Sequence, residues 1–284
     1  MIKVKVSKEL WEQSIRLYWL GSSLIGKAVG RVQYELSTHK KLKYFVVGLG
    51  IVSMVLVIWS LFTNIFQATV HAHGGFRDYN GDGKIRVSLS AGHSENTAGK
   101  RINGYTNSPY AKGDCVHEWT LNDAVCDEIQ AQLEARGVEV IRVDDITGVT
   151  DISLAERVRR IQEFNPDMAI SIHHNSAGSV NWCNATGIET YFSPLKPESE
   201  KLAKDIAQRL SESVGLHNRG AISTDQWQLY MPRQLASRGI NSVLVEGGMM
   251  DGVNDIPIIA SQDGVHKYAK AVSDSVLNWL ECGL

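Results

Sequence analysis

The chain has 284 residues, 43% of them hydrophobic and 8% aromatic, with 25 glycines, 6 prolines and a formal net charge of −2. That composition excludes a disordered tail protein, a collagen-like chain and a small disulfide-dense scaffold. Residues 1–44 carry nine Lys/Arg against three Asp/Glu, whereas the remainder has a net charge of −8, so no basic surface of the size a nucleic-acid partner needs is expected.

The first 44 residues form a basic cytoplasmic or juxtamembrane segment. Within it, residues 7–36 have amphipathic helical spacing (Leu10, Trp11, Ile15, Leu17, Tyr18, Leu20, Leu24), suited to the inner leaflet or to a tertiary contact. Residues 45–66 are uncharged and long enough to cross a bilayer. Lys40, Lys41 and Lys43 precede this run, which keeps the N-terminus inside and places everything after Phe66 outside. The expectation is an uncleaved transmembrane signal-anchor helix, with the cytoplasmic membrane as a partner. Cleavage near Ala72, giving a secreted protein, is the alternative. Residues 67–84 read as a linker. In it Asp78, Asn80 and Asp82 have the spacing of half a calcium loop, but the twelfth position is Leu89 rather than a bidentate Glu. A tight turn accounts for these residues equally well, leaving Ca2+ as an alternative ligand. His71 and His73 read as solvated.

From residue 85 onward strands alternate with helices. Strands are expected at 85–91, 138–143, 168–173, 187–192 and 241–246, and helices at 120–136, 154–164, 198–214 and 265–280, with 95–116 a long polar loop. The fold class is α/β, a mostly parallel twisted sheet with helices on both faces. Cys115, Cys126, Cys183 and Cys282 contain no CxxC pair, which disfavours a thiolate zinc site. A Cys115–Cys183 disulfide would brace the 94–117 loop in an exported domain.

Three reactive side chains fall at strand ends: His93, His173 and Glu246. Open α/β sheets bind ligands outside the carboxyl ends of their strands, so the three are expected to share one crevice. Glu118, at the mouth of the first long helix, can reach the same place. Two His and one Glu form a common catalytic zinc set with a position left for water, and a further carboxylate such as Glu246 is suited to take the water's proton.

The segments AGHS (91–94), HEWTLND (117–123), RGVEVIRV (136–143), SLAERV (153–158), DMAISIHHNS (167–176), GIETYF (187–192) and LVEGGMMDGVND (244–255) occur in this order. Together they resemble the zinc-dependent N-acetylmuramoyl-L-alanine amidase family, which cleaves the sugar–peptide amide of bacterial peptidoglycan, over about residues 85–281. The resemblance implies one zinc ion held by His93, Glu118 and His173, with Glu246 as catalytic carboxylate and peptidoglycan as partner. Asn175 matches the family and is expected to hold a substrate carbonyl or its own loop.

The chain departs from the family pattern at Ser94, where a glycine is usual, and at His174, where a small residue is usual. His174 either lines the substrate groove or packs. The long gap after His93 makes Glu95 a rival third ligand, although the helix pattern directly after Glu118 favours the latter. Arg142 and Arg157 read as helix-face ion pairs, and Trp182 and Trp227 as glycan contacts or packing. A zinc peptidase cutting stem peptides and a non-catalytic wall-binding ectodomain are the alternatives.

Overall fold

The computed structural model describes residues 75–178 and 182–283. The expected amphipathic segment, signal-anchor helix, cleavage site, and His71 and His73 lie outside them. Among the described residues no helix is long and apolar enough to cross a membrane.

The domain is built on six strands: β1 (Arg86–Ala91), β5 (Glu139–Arg142), β6 (Met168–Asn175), β7 (Ile188–Phe192), β8 (Asn218–Ser223) and β9 (Asn241–Met249), in the order β5-β1-β6-β9-β7-β8. All neighbours are parallel except β7 and β9, which run antiparallel. The sheet is therefore mostly parallel, as the alternating pattern predicts, with one reversal.

The helices are α1 (Glu118–Glu134), α2 (Leu154–Phe164), α3 (Pro197–Val214), α4 (Tyr230–Ala236), α5 (Ile256–Ile259) and α6 (Gln262–Cys282). Along β6 the alternation of side chains sends Met168, Ile170 and Ile172 into the main core with Leu121, Val125, Leu202, Ile206 and Val272 of α1, α3 and α6. Ala169 points the other way, into a smaller core with Val158, Ile161, Met231 and Leu235 of α2 and α4. Both faces of the sheet are thus covered, the arrangement parallel strands require.

Local signals set the helix ends. The Ser153 side chain accepts from Glu156 N at 3.3 Å, and Asn165 ends α2 in the left-handed region just before Pro166. Ser261 accepts from Gly264 N at 3.0 Å at the head of α6.

The 95–116 stretch is not the loop the sequence suggests. It carries the short strands β2 (Arg101–Asn103) and β3 (Ala111–Lys112), which with β4 (Cys115–His117) form a small antiparallel sheet in the order β2-β4-β3. Glu118 N donates to Lys100 O at 3.0 Å, fastening this sheet to the head of α1. The expected Cys115–Cys183 bridge is also corrected. All four cysteines are free, because the Cys115 sulfur turns to His117 Nε2 at 3.4 Å and the Cys183 sulfur to Asp251 O at 3.4 Å.

At the N-terminal edge of the domain, Asp78 accepts from Gly81 N (2.6 Å) and Gly83 N (2.7 Å), and Asn80 accepts from Asp82 N at 3.0 Å. Arg86 Nη1 lies 2.6 Å from Asp82 Oδ2. The guanidinium supplies the positive charge at this cluster, which has the bonding of a tight turn.

Candidate metal centre and catalytic residues

Four chain segments converge at the carboxyl ends of β1, β6 and β9. His93 follows β1 and has φ of 67°, an uncommon conformation for a non-glycine residue. Arg157 of α2 holds it there. This side chain, in a residue only 2% exposed, donates from Nη2 to His93 O at 3.1 Å, from Nη1 to Ser90 Oγ at 2.6 Å and to Ala91 O, and from Nε to Ile152 O at 2.9 Å. Arg157 is thus a brace for the β1 end, not the helix-face pair its spacing suggests. Asp144 adds a second brace, accepting from Ala91 N at 3.1 Å while Arg142 Nη2 donates to it at 2.7 Å.

Glu118 enters from the first turn of α1 and is 3% exposed. Its Oε2 is 3.3 Å from His93 Nε2 and its Oε1 is 3.1 Å from His173 Nδ1. The two imidazoles stand edge to face at 88°, with centroids 5.1 Å apart. The His173 ring lies across Gly92, where an added Cβ would come within 2.1 Å of it, so only glycine fits between β1 and this ring. Behind the strands, the Tyr268 hydroxyl of α6 donates to His173 O (3.2 Å) and Val245 O (3.1 Å), tying β6 to β9.

His93, Glu118 and His173 each offer a ligand atom, all within 4.8 Å of one another. Zinc bonds to nitrogen and oxygen of about 2.0–2.2 Å in a tetrahedron place neighbouring ligand atoms roughly 3.3 Å apart; the Glu118 carboxylate meets each histidine near that spacing, His93 through Oε2 and His173 through Oε1. The buried His93 Nε2 also makes no hydrogen bond. The set fits a zinc ion. Burial pushes the His173 imidazole below its usual range, which favours the neutral form a metal needs. Burial alone would raise the Glu118 carboxyl, but its contacts with His173 and His93 outweigh that and hold it well below the ordinary value.

Glu246 lies beside His173 in the β6–β9 register and opposite Glu189 in the β7–β9 register. Its Oε2 is buried with no hydrogen-bond partner. Burial first, then the nearby Glu118 charge, push its pKa well above the ordinary carboxylate value, a property of groups that move protons near neutral pH. Glu189, in contrast, is fully engaged: Arg219, Tyr191 Oη at 2.5 Å and Asn175 Nδ2 at 3.1 Å all donate to it. Nothing in the GIETYF strand pattern separated Glu189 from an ordinary strand residue.

The remaining candidates fall as follows. Glu95 pairs with Lys112, not with the histidines. Asn175 also accepts from Ser176 N at 2.8 Å, so its side chain ties down its own loop. His174 is 3% exposed, bonds Asn122 Oδ1 through Nδ1 at 2.8 Å and packs edge-on against Tyr268, and it also lines a cavity beside Glu118 and Glu246. Trp227 is exposed, and Trp182 stands 6.2 Å from Tyr105, ring to ring.

Two cavities adjoin the cluster. One, of about 360 Å³, is lined by His93, His173, Asp151, Leu154, Arg157 and Met231 among others. The other, of about 280 Å³, is lined by Lys100, Arg101, Glu118, Asn175, Glu246 and Asp251 among others. Sequence reasoning missed Lys100 and Arg101, which sit in what read as a loop.

A family model for N-acetylmuramoyl-L-alanine amidase matches residues 87–278, from β1 to the last turns of α6. The chain belongs to the N-acetylmuramoyl-L-alanine amidase family. Among solved structures, the amidase AmiC2 of Nostoc punctiforme is 25% identical with a TM-score of 0.58, covering 71% of this chain and 99% of its own. An N-acetylmuramoyl-L-alanine amidase from Clostridium difficile 630 is 22% identical (TM-score 0.56, 70% and 98% covered). The catalytic domain of CwlV from Bacillus (Paenibacillus) polymyxa var. colistinus is 21% identical (TM-score 0.55, 69% and 98% covered), and these two share the fold. A comparison with curated sequences returned no match. Membership in the amidase family sets aside the stem-peptide peptidase and the non-catalytic ectodomain as readings of this domain.

Proposed function

We infer that the chain hydrolyses the amide between N-acetylmuramic acid and L-alanine in peptidoglycan, with His93, Glu118 and His173 as the zinc ligands and Glu246 as the catalytic base. The observation that carries this reading is the buried His–Glu–His cluster with the unpartnered Glu246 carboxylate one strand away. A zinc ion on the three ligands would supply Lewis acidity, drawing charge from the substrate carbonyl and easing the deprotonation of water near neutral pH.

The protein's own groups do the rest. Glu246, held in its protonatable range by burial, takes a proton from the attacking water as the new C–O bond forms. It returns the proton to the leaving nitrogen of L-alanine as the C–N bond breaks. Arg157 and Tyr268 keep the ends of β1 and β6 at fixed spacing, so that the ligands do not move during the reaction. Asn175, through Glu189, fixes the loop beside Glu246.

We further propose that residues 45–66 anchor the chain in the cytoplasmic membrane with the amidase domain outside, close to the wall. The uncharged run and its one-sided basic flank support this reading. Digestion of purified sacculi by the full chain, with and without a chelator, tests the function. The expected products are muramic acid freed of peptide and stems with a new N-terminal alanine, both lost on chelation. Release of other termini would overturn the reading.

A further inference from the structure

We propose that the peptide side of the substrate lies in the cavity lined by Glu246, Lys100 and Arg101, where a free carboxylate of the stem is held by Arg101 with Lys100 beside it. The sugar side then lies in the cavity of His93 and Leu154. This inference rests on the amidase reading and gives it a direction.

Proton balance is the first argument. The proton that Glu246 takes from water must reach the leaving nitrogen, so that nitrogen stands within hydrogen-bond reach of Glu246. Of the two cavities, Glu246 lines only the second. The chain that begins at the leaving nitrogen is the stem peptide, and it continues along that cavity.

Charge is the second argument. Arg101 is exposed on β2, and among the described residues no carboxylate pairs with it. The Lys100 side chain is 44% exposed, and its Nζ lies 3.6 Å from Glu118 Oε2. The second cavity therefore presents a guanidinium whose planar donors suit a carboxylate. Of the three acids lining it, Asp251 is engaged by Ser176 Oγ at 2.8 Å and Ala177 N at 3.0 Å, Glu118 contacts both histidines, and Glu246 is the proposed base. The first cavity offers no such free guanidinium. Its cation, Arg157, is buried and committed to the end of β1, Asp151 adds negative charge 3.5 Å from it, and Leu154 at the rim is 51% exposed. That surface leaves no cation free for a carboxylate and suits the apolar face of an uncharged sugar.

The test uses the zinc-loaded full chain and two soluble muramyl peptides that differ only at the second stem residue, one with a free α-carboxylate and one with its carboxamide. The wild type is expected to favour the acid by about tenfold in kcat/KM, the scale of one charged hydrogen bond, mostly through KM. Arg101→Gln should reduce the preference to about twofold or less, and Arg101→Lys should keep part of it. Lys204→Gln, on the outer surface of α3 and paired with Glu200, should keep the full preference. Equal cleavage of both substrates by the wild type, or an undiminished preference in Arg101→Gln, would overturn the inference while leaving the amidase activity standing. Failure of the wild type to release an N-terminal alanine from either substrate would overturn the amidase reading and the inference together.

Discussion

The imidazole of His173 occupies the space that a Cβ on Gly92 would need, with ring atoms 2.1 Å, 2.3 Å and 2.6 Å from that position. A strand end that must pass beneath this candidate metal ligand therefore has no side chain of its own. Gly92→Ala forces the ring away from Glu118. Its expected effect is a fall in activity on the order of 100-fold with weaker zinc retention, the scale of a displaced ligand. Elemental analysis after dialysis, together with sacculus digestion, checks it. A variant that keeps its zinc and its rate would show that the ring has another resting place.

Glu246→Gln separates binding from chemistry. The amide keeps the shape of the carboxyl but takes up no proton, so kcat should fall roughly 100- to 10,000-fold while zinc content stays at one per chain. Near-normal turnover by this variant would remove Glu246 from the role of base.

His174 sets a pH dependence. Burial pushes its imidazole down to about 4 from the usual 6.5. The unfolded chain thus binds a proton at this residue as pH drops below about 6.5, whereas the folded chain does not until about 4. In the metal-free protein this contributes a loss of about 3 kcal/mol in stability between those two values and little change below them. Urea unfolding of chelated protein from pH 7 to 4 should show the loss. His174→Gln, which keeps a donor for Asn122 Oδ1, should flatten that part of the curve.

Arg157→Ala should cost about 2–4 kcal/mol of stability, since it strips the buried carbonyl of Ala91 and the part-buried carbonyls of Ile152 and His93 of their donor. It also frees His93 from its left-handed conformation, so zinc affinity should fall with it. Denaturant unfolding and competition with a chromophoric chelator give the two readouts. A loss of stability with unchanged affinity would mean that the His93 backbone is held by something other than this guanidinium.

The cysteines give a direct chemical check. Thiol reagent on the folded protein should react with exposed Cys282 and leave buried Cys126 untouched until denaturant is added. Non-reducing mass spectrometry should find no internal bridge. A Cys115–Cys183 linkage would require both sulfurs to leave their contacts with His117 and Asp251.

Much of the sheet is legible in the chain because β1, β6 and β9 are short segments of apolar and small residues that are buried almost throughout, consistent with strands covered on both sides. The four central site residues are legible because three of them end such runs and the fourth opens a helix. The direction of β7 is not legible, since an antiparallel neighbour leaves no trace in the hydrophobic pattern. Strands β2 and β3 escape notice because they are short and polar, and α4 because Pro232 interrupts its pattern. Arg157 reads as one more helix-face arginine, because its partners are carbonyls distant in sequence. The need for glycine at 92 becomes visible only when His173 is laid over it.

The strands bearing His173 and Glu246 are hydrogen-bonded neighbours, yet α3, β7, β8 and α4 all lie between them in the chain. Glu118, 55 residues before His173, joins both histidines from the first turn of α1. The candidate ion pocket therefore draws on segments far apart in the chain, and a cut anywhere between His93 and Glu246 separates part of the proposed set from the rest.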